Sequence, residues 1–391
     1  LSSFTKNNET IIFGSTFLII AFSIVGISKL EVENSFINYF DKDTEIYKGM
    51  KKIDDELGGT TPLNVIIKFP VKDEKDEDDE FSEWEEEIEN DENKAKYWFT
   101  RDKMDKIIKV HEYLDSLPEI GKVLSFGSIL KVAEDLNKKE LQSLEIAVLY
   151  SKIPDEIKKE IVSPYISVEE DEARVNVRIK DSLKDLRRND LIQKINTELN
   201  TKLGLEKNEY KLAGVLILFN NLLQSLFKSQ ILTLGVVMIG ISTMFFVLFR
   251  NIMLAFIGVV PNFIAAFFIL GIIGLVGIPL DMMTITIAAI TIGIAVDNSI
   301  HYIYRFREEF EKINDYKRTL DRCHSTVGIA ILNTSITIVF GFSILILSNF
   351  IPTIYFGIFT GIAMLLALIS VLTLLPKLIL ILKPFGSERI I

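Results

Sequence analysis

The chain is 391 residues long, 49% hydrophobic and 25% charged, with a formal net charge of −10. The acidic balance repels phosphates and excludes a nucleic-acid-binding protein, and a single cysteine, Cys323, excludes a disulfide framework and a Cys-rich metal centre. So much apolar content beside so much charge describes a membrane part and a soluble part in one chain.

Apolar runs long enough to cross a hydrocarbon layer of about 30 Å, at about 1.5 Å per residue, are predicted at 10–28, 230–249, 252–276, 282–303, 326–347 and 354–376. The first is too long for a signal-peptide core and lacks a small-residue cleavage site, so residues 1–29 are read as a retained span. A start at Leu1 rather than Met carries the expectation of a longer parent protein. Residues 30–229 then form a soluble domain large enough to bury its own core. Within 29–229 stand 32 Lys and Arg against 44 Asp and Glu, and elsewhere 11 against 9, so the acidity belongs to that domain.

In the domain, 62–69 (PLNVIIKF) and 174–180 (RVNVRIK) are the clearest strands. Val175, Val177 and Ile179 alternate with Arg174, Asn176, Arg178 and Lys180, the period of two of a sheet with one buried face. Amphipathic helices over 101–116, 128–150 and 188–202 are expected to cover that face. Strands alternating with helices predict an α+β domain of the split βαβ, ferredoxin-like kind. Residues 72–92, with 14 Asp or Glu among 21, are read as a solvated insertion, a weak divalent-cation site being the rival reading. His111 is placed on the polar surface of its helix, without a second ligand at metal spacing. No nucleophile motif, phosphate-binding glycine loop or catalytic carboxylate pair occurs. The expectation is therefore a binding or conduit domain with no enzyme activity, metal or cofactor. Residues 215–249, free of Pro and of acids, predict a helix running on into the second span, the alternative being a break near Lys228.

Asp297 stands within the fourth apolar run, where a carboxylate costs about 2.5–3.5 kcal/mol on insertion scales. It is read as a protonatable group on an ion pathway, the plainer alternative being a hydrogen-bonded helix pin. Gly293, Asp297 and His301 share one helix face at i, i+4 and i+8, with Ile290 and Ile294. His301 either relays a proton or caps the span, and Asn298 is a neutral hydrogen-bonding neighbour. In the fifth run Thr326, Ala330, Asn333, Thr337 and Gly341 form a stripe flanked by Thr334, the mark of a helix–helix contact, expected to face Asp297. Gly293 and Gly341 are read as packing positions, Gly357 and Gly361 as a small-xxx-small pair, and Pro261 as a bend with Asn262 beside it. Residues 304–325 carry Arg305, Arg307, Lys312, Lys317, Arg318 and Arg322, whereas 277–281 and 348–353 carry neither Lys nor Arg. The positive-inside rule makes that basic loop, with Cys323 and His324 in it, and both termini cytoplasmic, and places the soluble domain outside the cell membrane.

The stretch GIPLDMMTITIAAITIGIAVDNSIHYIYRFREE (277–309) resembles the fourth span of resistance-nodulation-division (RND) exporters, in the branch of the MMPL and sterol-sensing-domain proteins. AGVLILFNNLLQSLFKSQ before the second run and VVPNFIAAFFILGIIGLVGIPLD through the third fit the same family. One span, a large outer domain and five spans over 230–391 is the order of one RND half, and the resemblance, strongest to the C-terminal half, covers essentially the whole chain. It implies a helical bundle with an outer porter domain, paired with a second RND half from the same polypeptide or, in a homodimer, from a second copy. It also implies proton-driven export of lipids or other hydrophobic molecules from the membrane. Asp297 falls at the family's proton-coupling position and Thr334 near a fifth-span Thr of the same relay. With the residues read above, the candidate relay set is Asp297, Asn298, His301, Asn333, Thr334 and Thr337. Asn298 departs from the pattern, since many relatives have a second Asp or a Tyr there. The alternative readings are a SecD/SecF-like accessory subunit of protein translocation and a non-transporting sterol-sensing or receptor-like membrane protein.

Overall fold

A computed structural model describes residues 1–30, 35, 37–69, 98–183, 186–281 and 283–388. The acidic stretch 72–92 lies outside these residues. The chain opens with a short helix, α1 (Ser2–Asn7), and the first span, α2 (Glu9–Ile27). Helix α3 (Glu45–Glu56) starts at Thr44, whose side chain accepts the Tyr47 N–H at 3.2 Å as an N-cap. Strand β1 (Thr61–Lys68) is followed by α4 (Arg101–Asp115), β2 (Ile120–Leu124), α5 (Phe126–Asn137), α6 (Ser143–Lys152) and α7 (Asp155–Ile161). Next come β3 (Ile166–Ser167), β4 (Glu172–Ile179), α8 (Arg188–Thr201) and β5 (Tyr210–Ala213). The remaining helices are α9 (Val215–Phe249), α10 (Ile252–Val276), α11 (Thr284–Ile313), α12 (Tyr316–Ser325), α13 (Val327–Ser343) and α14 (Ile351–Leu382). Among the described residues six helices, α2, α9, α10, α11, α13 with the turn that follows it, and α14, are long and apolar enough to cross a membrane.

The chain divides into two units, Leu1–Asn34 with Asn38–Asp41 and Leu223–Ile391, and Ser35–Ile37 with Lys42–Leu222. In the second unit the sheet order is β2-β4-β1-β5, with β3 paired to β4, and every pairing among the described residues is antiparallel. Leaving aside β3 and the helices α5, α6 and α7 that stand between β2 and β4, the path among the described residues is β-α-β-β-α-β with β1 and β4 at the centre. Leu63, Val65 and Ile67 alternate inward on β1 opposite Val177, Val175 and Ala173 on β4, and all are buried. Met104, Ile107, Val110 and Leu114 of α4 and Leu191, Ile195 and Leu199 of α8 join the same core, each large side chain contributing about 1.5–3 kcal/mol on burial. The helix predicted over 128–150 is instead two helices. Lys138 takes a left-handed φ of 56° and ends α5 without any Gly or Pro, and Ser143 turns its hydroxyl to the Arg101 N–H at 2.9 Å. His111 is half-buried rather than on the surface, its Nδ1 3.0 Å from the Ser125 hydroxyl. Burial, aided by Lys131, holds it below the ordinary histidine value.

One fully buried carboxylate joins α3 to the turn after β4. Asp54 accepts the N–H groups of Asp181 at 2.8 Å, Ser182 at 2.9 Å and Thr60 at 3.0 Å, and the Thr60 hydroxyl at 3.0 Å. Burial alone would raise its pKa, but the bonds from Ser182, Asp181 and Thr60 prevail and hold it below the ordinary value. Asp181 is itself buried and paired with Arg188.

In the first unit the close helix approach involves glycines of the first and third spans. A Cβ on Gly271 would lie 2.6 Å from the Ser23 Cα, and one on Gly26 or Gly274 would strike the facing backbone. Gly271→Leu is expected to force α2 and α10 apart at a cost of about 1–3 kcal/mol, read as a lower unfolding midpoint in detergent; an unchanged midpoint would contradict this packing. Gly357 packs closely too, a Cβ there lying 2.6 Å from the Phe342 carbonyl oxygen. Helix α9 runs unbroken through Lys228. Helix α11 extends past its apolar run to Ile313, carried by i,i+4 pairs Arg305–Glu309 at 2.9 Å and Arg307–Glu311 at 3.5 Å. Asp315 caps α12 by accepting the Arg318 N–H at 2.8 Å. The basic segment 304–325 is therefore mostly helix, with Cys323 buried and His324 half-buried on α12 rather than in a loop.

Candidate functional site

Helix α11 presents two polar faces. The inward one begins with Asn298, whose Nδ2 donates to the Ser335 hydroxyl of α13 at 3.2 Å, both residues being buried. Ser299 beside it accepts from Asn262 Nδ2 of α10 at 3.1 Å, and the same amide donates to the Gly258 carbonyl at 2.8 Å. Pro261 lies inside α10, so Asn262 strengthens a helix weakened by a missing N–H while tying it to α11. Ser299 and Ser335 carry no motif that marks them in the sequence. Each follows a residue singled out above, and a helix turns the next residue by about 100°, onto another face. Asn298→Leu strands the Ser335 hydroxyl and is expected to cost about 0.6–1.7 kcal/mol, measurable as a loss of thermal stability in detergent.

The outward face carries Gly293, Asp297 and His301, all exposed in this unit. His301 Nε2 lies 3.3 Å from Asp297 Oδ1, and 64% and 72% of the two side chains remain uncovered. On α13, Ala330, Asn333, Thr334, Thr337 and Gly341 are exposed in the same way, while Thr326 is half-buried. Their hydroxyls return to their own helix, Thr334 to the Ala330 carbonyl at 3.1 Å and Thr337 to the Asn333 carbonyl at 2.9 Å. Among the described residues no hydrogen bond joins Asp297 to Asn333, Thr334 or Thr337. Gly293 and Gly341 open onto empty space, a Cβ at either meeting nothing within 4 Å. The helix face that they leave clear is not filled by this unit.

The result is a polar patch on the exposed faces of α11 and α13. An acid and an imidazole can pass a proton between bound and free states, but uncovered at mid-span they are costly in hydrocarbon. Among the described residues no group of three or more His, Cys, Asp or Glu is placed to hold a metal ion.

Six apolar helices, a large sheet-containing insertion after the first and a polar face on the fourth define a multi-pass helical membrane protein. The chain belongs to the MMPL family, whose profile matches residues 84–389. It is similar to MJ1562 of Methanocaldococcus jannaschii, named as a membrane protein, with 24% identity over 366 residues that make up 93% of this chain and 88% of that protein. It is also similar to the hopanoid transporter HpnN of Burkholderia multivorans, 28% identical over 115 residues, 28% of this chain and 12% of that protein.

Proposed function

We propose that the chain is one half of a proton-driven RND-type exporter of lipids or other hydrophobic molecules, with Asp297 and His301 as its proton-binding pair. The observation that carries this reading is the Asp297–His301 contact at mid-span, 72% uncovered at Asp297, beside a row of small and hydroxyl residues with room for another helix. A second RND half would cover that face and bring further polar groups to Asp297. The Methanocaldococcus relative is 88% spanned by the match, so it has no room for a second unit of this size. That length supports a second copy of the chain as the other half. Kinship with a hopanoid transporter supports an apolar cargo. The strand order β2-β4-β1-β5, on a β-α-β-β-α-β path once α5, α6, α7 and β3 are set aside, supports a ferredoxin-like porter domain over 30–229, and the basic segment 304–325 supports its placement outside the cell membrane.

Pairing is tested by Gly293→Cys in a Cys323→Ser background. Oxidation in native membranes is expected to yield a disulfide-linked dimer, and purified unit held as a strict monomer is expected not to transport. Transport by that monomer would end the half-transporter reading. Orientation is tested separately. Glu156→Cys is expected to react with an impermeant maleimide on intact cells and Lys317→Cys only after permeabilisation, with buried Cys323 reacting far more slowly than either; the reverse pattern would invert the topology.

A further inference from the structure

Pro376 lies inside α14 and has no N–H, so the carbonyl of Leu372, four residues earlier, loses its helical donor. The imidazole of His324 supplies one, with Nε2 2.9 Å from that oxygen, while the Thr5 hydroxyl reaches it at 3.5 Å. On the other side of the ring, Nδ1 lies 3.1 Å from the Tyr302 hydroxyl and 3.1 Å from the Leu320 carbonyl of its own helix. A carbonyl only accepts and is all that Nε2 faces, whereas Nδ1 also faces a hydroxyl that can donate to it, so the single hydrogen of a neutral ring sits on Nε2. In the neutral ring Nδ1 is then an acceptor, and Tyr302 is its donor. Tyr302 is fully buried on α11, five residues beyond Asp297.

We propose that His324 is a second proton-binding site, separate from the Asp297–His301 pair, and that its protonation unties α12 from α11. In the neutral form one ring joins three helices: α12, which carries it, α11 through Tyr302 and α14 through the carbonyl that Pro376 leaves open. A proton taken from water onto Nδ1 turns the ring into a pure donor. Nδ1–H then bonds the Leu320 carbonyl of its own helix, and the Tyr302 hydroxyl, a buried donor, loses its acceptor. The ring keeps its hold on Leu372 and gives up its hold on α11.

The groups around the ring set the direction of the response. Burial opposes the charge most and the bonds to Leu372 and Leu320 favour it; the Leu1 amino group opposes it and Asp321 favours it. The net effect holds His324 below the ordinary histidine value. Asp321 is engaged with Lys6 at 2.6 Å and with Ser2 of α1. Helix α11 brings Arg305 and Glu309 toward neighbouring Cys323, α14 brings Lys377, paired with Glu9 at 3.1 Å, and the sequence of α13 holds no titratable residue. With the folded value depressed, the tie is fully present above about pH 6.5, the unperturbed value, and is lost as pH falls below it through the folded value.

Native Cys323 reports the event without a transport assay, because it is fully buried beside His324 and its thiol is pushed up to about 12 by that burial. The full chain in vesicles is labelled with a membrane-permeant maleimide between pH 7.5 and 5, and each rate is divided by that of His324→Gln. Glutamine retains an N–H for Leu372 and an oxygen for Tyr302 but cannot titrate, so the division removes the reagent's own pH dependence. The ratio is expected to be near one at pH 7.5 and to climb toward tenfold per pH unit below about 6.5. A flat ratio overturns the proposal. Tyr302→Phe is expected to label faster at pH 7.5 and to lose most of the pH response; a wild-type response would remove Tyr302 from the tie. Nitrogen-15 NMR of the histidine-labelled chain, with His111 and His301 assigned by substitution, gives a check that needs no folded His324 variant. An Nε2–H tautomer at neutral pH is expected, and an Nδ1–H tautomer overturns the assignment. None of these readouts depends on Asp297, so the proposal fails or stands apart from the exporter reading.

Discussion

Asp297→Asn is expected to lower proton-driven transport to the level of protein-free vesicles while insertion, folding and pairing persist. Asparagine keeps the size of the side chain and its capacity for hydrogen bonds but cannot change charge. The fold has little to lose, because among the described residues the contact that Asp297 makes is with His301 on its own helix, one turn away, and most of the carboxylate stands clear of the bundle. Substrate movement in vesicles carrying an imposed pH gradient, together with the unfolding midpoint in detergent, separates the two effects. Full transport by the variant would remove Asp297 from the coupling mechanism; loss of both transport and stability would return it to the role of a helix pin.

The largest stability effect is expected at Asp54. Alanine there leaves buried N–H groups of Asp181, Ser182 and Thr60 without an acceptor, next to the buried Asp181–Arg188 pair. Stranding several buried donors costs about 3–5 kcal/mol in all. Trp98 is buried in the same unit and reports its unfolding by fluorescence in a denaturant titration. The carboxylate also sets a pH response: its folded pKa is depressed, so its contribution is present above the unfolded value near 3.8 and disappears as pH falls through the folded one. A denaturation midpoint within experimental error of the wild type would show that these bonds do not hold α3 to the sheet.

The membrane spans were legible because their signal is length and composition, which no tertiary contact overrides, and β1 and β4 because a half-buried strand must alternate. The break between α5 and α6 was hidden. Lys138 adopts a left-handed conformation usually marked by Gly or Asn, and the turn is held by Glu134 accepting the Leu141 N–H at 3.1 Å, a partner seven residues away. The helical character of 304–325 was hidden for a related reason, since charge reads as loop until i,i+4 pairing is counted. At the site, the face of Asp297 followed from helix periodicity. What the sequence alone did not reveal is which faces meet inside the unit: Gly26, Gly271 and Gly274 carry the tight contact, whereas Gly293 and Gly341, chosen as packing positions, look outward. A small residue marks where a neighbour could approach, and only the assembled helices show whether one belongs to the same unit.

The uncovered face of α11 and α13 also bears on how the protein is made. A newly inserted unit with Asp297, His301, Asn333 and Thr337 bare to acyl chains draws water and headgroups inward and thins the bilayer around itself. If a second half covers that face, as proposed above, the lone unit is an unfinished product open to the cell's triage of incompletely folded protein. For a unit that pairs with its own kind, the finished share rises with crowding in the bilayer, because the law of mass action governs a two-body encounter. On that proposal expression level sets more than copy number: sparse synthesis leaves more units unpaired, and dense synthesis leaves more of them covered.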